Sequence, residues 1–150
     1  MTTSQSSIVV PVDFEPASIQ ALKIAEQIAE PLGAEVILLH VCQPPMISYP
    51  EVSPVMVSGL HKDLLAAGKR ALDELAAKAG GRRTLLREGD AGVEIVRAVD
   101  QLRPTLVVMG THGRTGLRRL LIGSVAEHVI QHCPVPVLTA HAPEAEGTPK

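Results

Sequence analysis

Five short aliphatic runs alternate along the chain with longer stretches whose apolar positions recur every three or four residues. The first run, Ile8-Val-Val-Pro-Val12, is mostly β-branched and predicts a buried strand ending at Asp13. Glu15-Pro16 opens a helical segment, because a helix's first turn tolerates proline's missing N–H. Ile19, Leu22, Ala25, Ile28, Ala29 and Leu32 then repeat at helical spacing, and Gly33 supplies the stop. Glu35 to Val41 predicts a second strand. The stretch after it holds Pro44, Pro45, Pro50 and Pro54, too long for a simple turn, and reads as a lid or interface loop. A helix is expected from about Ser58 to Ala79, ended by Gly80-Gly81. A third strand over Thr84–Glu88 turns at Gly89-Asp90 into a helix carrying Val93, Val96 and Val99. Thr105–Met109, Ser124–His132 and Val135–Thr139 complete the pattern as strand, helix and strand.

Strict strand–helix alternation with continuously apolar strands predicts an α/β fold: a five-stranded parallel sheet sandwiched by helices, Rossmann-like. Ligands in such sheets sit beyond the carboxyl ends of the strands, which draws Asp13, Val41 and Gly110 toward one crevice. Pro136 cannot donate to a ladder, so the last strand is expected at an edge. An exposed apolar edge needs cover, and a homodimer through Val135–Thr139 is the expected cover. Residues 1–7 read as a disordered N-terminus, 8–139 as one domain and 140–150 as a flexible tail.

Composition narrows the function. The chain has 150 residues, is 45% hydrophobic and carries a net charge of −2, so bulk electrostatics argue for neither nucleic acid nor an anionic membrane. One Phe, one Tyr and no Trp leave no stacking platform for single-stranded nucleic acid, and a bound base would lie between aliphatic side chains. Cys42 and Cys133 form no CxxC pattern and read as free thiols in a reducing cytoplasm. The polar N-terminus lacks the basic and apolar regions of a secretory signal. No apolar run approaches the roughly 18 residues of a membrane span, so a cytoplasmic location is expected.

The chemistry concentrates in Gly110 to Ser124, with the spacing Gly110-x2-Gly113-x9-Gly123-Ser124 between a strand and a helix start. Glycines there let backbone N–H groups approach an anion, and a helix N-terminus favours negative charge. The spacing is neither a Walker A loop nor a dinucleotide G-x-G-x-x-G. Ser124-x-x-Glu127 also matches a capping box, so Ser124 can cap the last helix, contact phosphate, or do both. Gly113 and Gly116 can be plain turn residues, and Val41 plain core. Arg114 is the candidate phosphate contact among the loop arginines, with Arg118 and Arg119 facing solvent. His112 can touch phosphate or ribose, or act as an acid–base group. His128 and His132 have zinc-compatible i, i+4 spacing but no evident third ligand, and read as a polar helix face.

The glycine spacing, the Val-Val-Met-Gly-Thr-His-Gly-Arg block, the Gly-Ser-Val-Ala-Glu helix start and the Cys-Pro-Val-Pro-Val-Leu ending together resemble the universal stress protein family, in its ATP-binding branch. The resemblance spans Ile8 to Thr139. It implies that Pro11, Val12 and Asp13 lie near adenine or ribose and that Val41 holds adenine. It further implies that Met109, Gly110, His112, Gly113, Arg114 and Gly116 form the ribose and phosphate loop, and that Gly123, Ser124 and Val125 make a second phosphate contact. Members often carry D-x-S-x-x-S after the first strand; here Glu15 replaces the first serine, where it either repels phosphate or caps the helix, the cap being favoured. The implied function is an ATP-binding (or ADP- or AMP-binding) stress-response switch or sensor, with Mg²⁺ offsetting phosphate charge and adenine between Val12 and Val41. The competing reading is a slow ATPase or self-phosphorylating enzyme using the same loop, for which no metal-holding carboxylate pair stands out. A dimer that has lost its nucleotide is the third reading, and the intact loop argues against it.

Overall fold

The computed structural model describes residues 5–47, 49–111 and 122–143. Its elements run β1 (Ser7–Pro11), α1 (Pro16–Leu32), β2 (Glu35–Cys42), α2 (Pro54–Lys78), β3 (Arg83–Glu88), α3 (Ala91–Leu102), β4 (Leu106–Gly110), α4 (Ser124–His132) and β5 (Val137–Ala140). The strands form one sheet in the order β3-β2-β1-β4-β5, and every pairing is parallel. The predicted α/β sandwich is therefore the observed fold.

Successive strand residues point to opposite faces, and here both faces are covered. Ile8, Val10, Val36, Leu38 and Val108 face Ala21, Leu22 and Ala25 of α1 and Leu72 and Ala76 of α2. Val9, Ile37, Leu39, Val107 and Met109 face Ile95, Ala98 and Val99 of α3 and Ala126 and Val129 of α4. This two-sided burial is why the strands read as unbroken apolar runs rather than alternating ones.

Chain order reverses between β1 and β4. From β1 the chain moves outward to β2 and β3, then returns to pair β4 on β1's other side. The carboxyl ends of β1 and β4 thus flank the switch point of the sheet.

Element boundaries differ from expectation where helix and strand ends were misread. Helix α2 starts four residues early, at Pro54, because the Ser53 side chain accepts from the Met56 N–H at 3.3 Å and proline sits at the first helical position. Pro54 is thus a helix starter rather than a loop residue. β5 begins after Pro136, whose carbonyl accepts from Val107 N–H at 3.0 Å; proline supplies an acceptor where it could not supply a donor. The strand is at a sheet edge, as expected. Ser7 and Ala140, assigned above to the terminal segments, belong to β1 and β5.

Leu38 is fully buried and touches both α1 and α2 residues of its cluster, whereas Val55 is 81% exposed. Leu38→Ala is expected to cost about 2–5 kcal/mol, while Val55→Ala stays within about 0.5 kcal/mol. Urea unfolding at constant slope checks both.

Candidate functional site

The β1–α1 corner is the most constrained turn at the carboxyl edge. Val12 continues the ladder past β1 by donating to the Leu39 carbonyl at 2.8 Å. Asp13 Oδ1 then accepts from the Glu15 N–H at 3.0 Å, and the Ser18 hydroxyl donates to the Glu15 carbonyl at 3.0 Å. Between them Phe14 adopts φ 66°, a left-handed conformation that side chains rarely take. Its ring lies 4.7 Å from the His40 ring, and His40 Nδ1–H donates to the Val12 carbonyl at 2.7 Å. Those contacts hold the strained residue in place. Glu15 is the N-cap of α1 by backbone geometry, but its side chain makes no capping bond.

The second wall is the end of β4. A Cβ on Gly110 would stand 2.9 Å from the backbone and Cβ of Ala17 and from the Ser18 nitrogen. Gly110 is therefore needed for the close approach of α1, independently of any ligand. Beyond it Thr111 is buried; its N–H donates to the Ala140 carbonyl at 2.9 Å, and its carbonyl accepts from the Gly123 N–H at 2.6 Å. Thr111 thus ties the ends of β4 and β5 to the start of α4.

Gly123, not Ser124, is the N-cap of α4, and among the described residues no side chain caps this helix. The capping-box reading of Ser124 is corrected: the chain enters the helix one residue earlier, and Ser124 is exposed at its first position. An α-helix leaves its first amide groups without intrahelical acceptors, so the uncapped start of α4 presents N–H donors beside Thr111 and the end of β4.

Among the other residues read from the sequence, Val12 and Val41 fall on opposite faces of the sheet. The Val12 side chain is buried in the α1/α2 core, while Val41 is half-buried and packs on the α3/α4 side with Met109. They cannot form two walls of one base pocket. Pro11, in phase with Val9, shares the Val41 side. Val125 is half-buried on the same α3/α4 face. His112, Gly113, Arg114 and Gly116 lie outside the described residues.

His128 packs over Gly92 of α3, whose Cβ position is 2.9 Å from the His128 ring, and stacks on His132 at 4.3 Å. The pair joins two helices, and among the described residues no group of three metal-ligating side chains occurs. Sequence reading missed Phe14, His40 and Thr111. A histidine inside Leu38-Leu39-His40-Val41 and the sole phenylalanine beside Asp13 were the available signals.

This is an α/β protein whose parallel sheet reverses strand order between β1 and β4, with a carboxylate after the end of β1 and a helix start bonded to the end of β4. The sequence profile of the universal stress protein family matches residues 6–141. The chain belongs to that family. It is 37% identical over 142 residues to Universal stress protein MJ0531 of Methanocaldococcus jannaschii, covering 93% of this chain and 84% of that one. It is 28% identical to Universal stress protein MJ0577 of the same organism over 155 residues, 92% of this chain and 96% of that one. Among solved structures, the universal stress protein UspA from Lactobacillus plantarum superposes with a TM-score of 0.75 at 26% identity, over 90% of this chain and 97% of that one. A universal stress protein solved in complex with cAMP shares the fold at TM-score 0.59 and 23% identity, over 93% of this chain and 98% of that one. No described helix is long and apolar enough to cross a membrane.

Gly110→Ala sets two effects against each other. Gly→Ala ordinarily gains about 0.4–1 kcal/mol through the unfolded chain, but forcing a methyl into a packed contact costs about 1–3 kcal/mol. With three contacts at 2.9 Å the clash wins, and urea unfolding should show a net loss. Amide exchange of Ser18 and Ile19, whose N–H groups donate to the Glu15 carbonyl, should accelerate.

Proposed function

We propose that this chain binds an adenine nucleotide at the carboxyl edge of β1, β2 and β4, and serves as a nucleotide-dependent switch or sensor in a stress response. One observation carries the reading: the α4 N-terminus, without a side-chain cap among the described residues, and the half-buried Asp13 carboxylate follow the carboxyl ends of the two strands, β4 and β1, that flank the switch point of the sheet. Phosphate suits the first helix amides, those of Ser124 and Val125, with Gly123 as the close-approach residue before them, and a carboxylate suits ribose hydroxyls as donors. Gly110 lies between them at the end of β4, and His112, Gly113, Arg114 and Gly116 complete the phosphate loop. The base rests on the α3/α4 side of the sheet, against Val41 with Pro11 and Met109 behind it, rather than between Val12 and Val41. Mg²⁺ rides on the phosphates. The family membership supports the stress-response role, and the relative solved with cAMP supports an adenine nucleotide as a ligand this fold accepts.

A near-absence of aromatics makes the test direct. With no Trp and one Tyr, the purified protein absorbs weakly at 280 nm, so bound nucleotide stands out at 260 nm. MgATP at about 100 times its Kd adds about 2.7 kcal/mol and should raise Tm by roughly 5–10 °C. Asp13→Ala and Gly113→Val should each abolish most of that shift. A wild-type protein with neither a 260 nm band nor a shift overturns the reading. A switch holds its ATP: labelled ATP stays intact during a single-turnover incubation, whereas ADP release that disappears in His112→Ala assigns the loop a hydrolytic role.

The chain acts in the cytoplasm as a homodimer joined through β5. The edge position of that strand and the exposure of Leu138, Ile130 and Ile122 support this assembly. Leu138→Asp should convert the dimer to a monomer by light scattering, and a wild-type monomer at micromolar concentration counts against the interface.

A further inference from the structure

His40 touches both the β1–α1 corner and α2. On one side its Nδ1–H holds the Val12 carbonyl at 2.7 Å, and its ring packs on Phe14, the strained residue after Asp13. A carbonyl only accepts, so Nδ1 carries the proton and Nε2 points away from the corner. On the other side the ring edge lies under α2. The Cβ position of Gly68 is 3.2 Å from His40 Cδ2 and 3.3 Å from Nε2. The same spot on α2 seals Cys42, whose Sγ is 2.7 Å from that Cβ position. Glycine at 68 lets the helix descend onto both side chains. Above this point α2 is held by polar contacts rather than by buried packing: His61 Nε2 lies 3.2 Å from Glu88 Oε2 and the Cys42 thiol faces the Leu64 carbonyl at 3.9 Å, while its buried residues Gly68, Leu72 and Ala76 are all in the C-terminal half and Val55, Met56, Leu60 and Leu64 are exposed.

We propose that His40 is a positioning residue that ties the Asp13 corner of the nucleotide site to α2, so that a ligand seated at the corner restrains α2 over Cys42. The proposal rests on the nucleotide reading above and adds how occupancy is passed to a distant surface. Ligand contacts at Val12 and Asp13 order the corner; the Val12 carbonyl and Phe14 fix His40; the fixed ring gives Gly68 a single seat. Coupling of this kind needs ordering, not a large displacement. The surface that responds is the exposed apolar stripe of Met56, Leu60 and Leu64, which α2 carries as one rigid element.

Cys42 is a built-in reporter. It is 8% exposed, burial first and the Glu88 charge second push its thiol upward, and a reagent reaches it only when α2 lifts. In a Cys133→Ser background it is the single thiol. The full chain is labelled with a maleimide at fixed pH, with and without saturating MgATP, and binding is measured separately by calorimetry. Saturating MgATP should slow Cys42 labelling by about fivefold or more, within the range of ordinary coupling free energies. His40→Phe keeps a ring against Phe14 but loses the hydrogen bond; it should bind MgATP more weakly and, when saturated, show no protection. His40→Asn keeps a donor toward the Val12 carbonyl but has no ring beneath Gly68; when saturated it should also show no protection.

The outcomes separate cleanly. A flat calorimetric trace for the wild type removes the nucleotide reading and this coupling with it. Binding without a change in Cys42 labelling overturns the coupling alone. Protection that persists in saturated His40→Phe also overturns it, because protection through global unfolding needs only binding. Full protection in saturated His40→Asn does the same, since the ring is the part that seats Gly68. If His40→Phe does not fold, the wild-type labelling and the His40→Asn variant still decide the matter.

Discussion

Helix α1 lies against the centre of the sheet with no room to spare, and the switch-point crevice follows from that contact. Its buried side is made of Ala17, Ser18, Ala21, Leu22, Ala25 and Ala29, nearly all small. Small residues bring the helix axis close to β1 and β4, and the approach is closest at Gly110, where a single methyl would collide with two residues. The helix start is thereby pinned beside the ends of both central strands. Asp13, which opens the turn into α1, is held at the crevice for the same reason. A bulkier face on α1 would lift the corner from the sheet and open the gap between carboxylate and α4 amides.

The corner carries its own cost. A non-glycine residue at φ 66° is strained by something on the order of 1–3 kcal/mol unless its surroundings over-determine it. Here they do: a 2.7 Å hydrogen bond, a ring contact and two side-chain-to-backbone bonds converge on the seven residues Val12 to Ser18. Such strain at a strand's carboxyl end marks the place where the fold gives up local comfort for a fixed geometry.

Most of the architecture was legible in the sequence because both faces of the sheet are buried. Continuous runs such as Ile8-Val-Val and Leu106-Val-Val-Met109 have no other economical home than a covered parallel strand. The misread ends share one physical cause. From sequence Pro54 reads as loop and Pro136 as strand interior, yet proline's missing donor suits the first turn of a helix and the residue before an edge strand. Ser124 shows the complementary error: a good capping sequence does not cap when the chain turns into the helix at the preceding glycine. The candidate site was half legible. Strand order draws Asp13, Val41 and Gly110 to one edge, but it does not say on which face of the sheet each side chain falls. That parity separates Val12 from Val41, and it depends on strand register rather than on residue type. His40 escaped notice because a lone histidine in an apolar run carries no pattern of its own.

The two outer strands are unlike one another. β3 sets Arg83, Arg87 and Glu88 along its length, with Arg83 reaching Glu35 at 3.7 Å, whereas Val137 to Ala140 of β5 contain no charge. Adding a further strand beside β3 would oblige those charges to leave water, while β5 asks nothing of the kind. Recruitment by edge pairing is thus one-sided. Once β5 is covered, the border that remains is the charged one of β3, which resists growth by edge pairing.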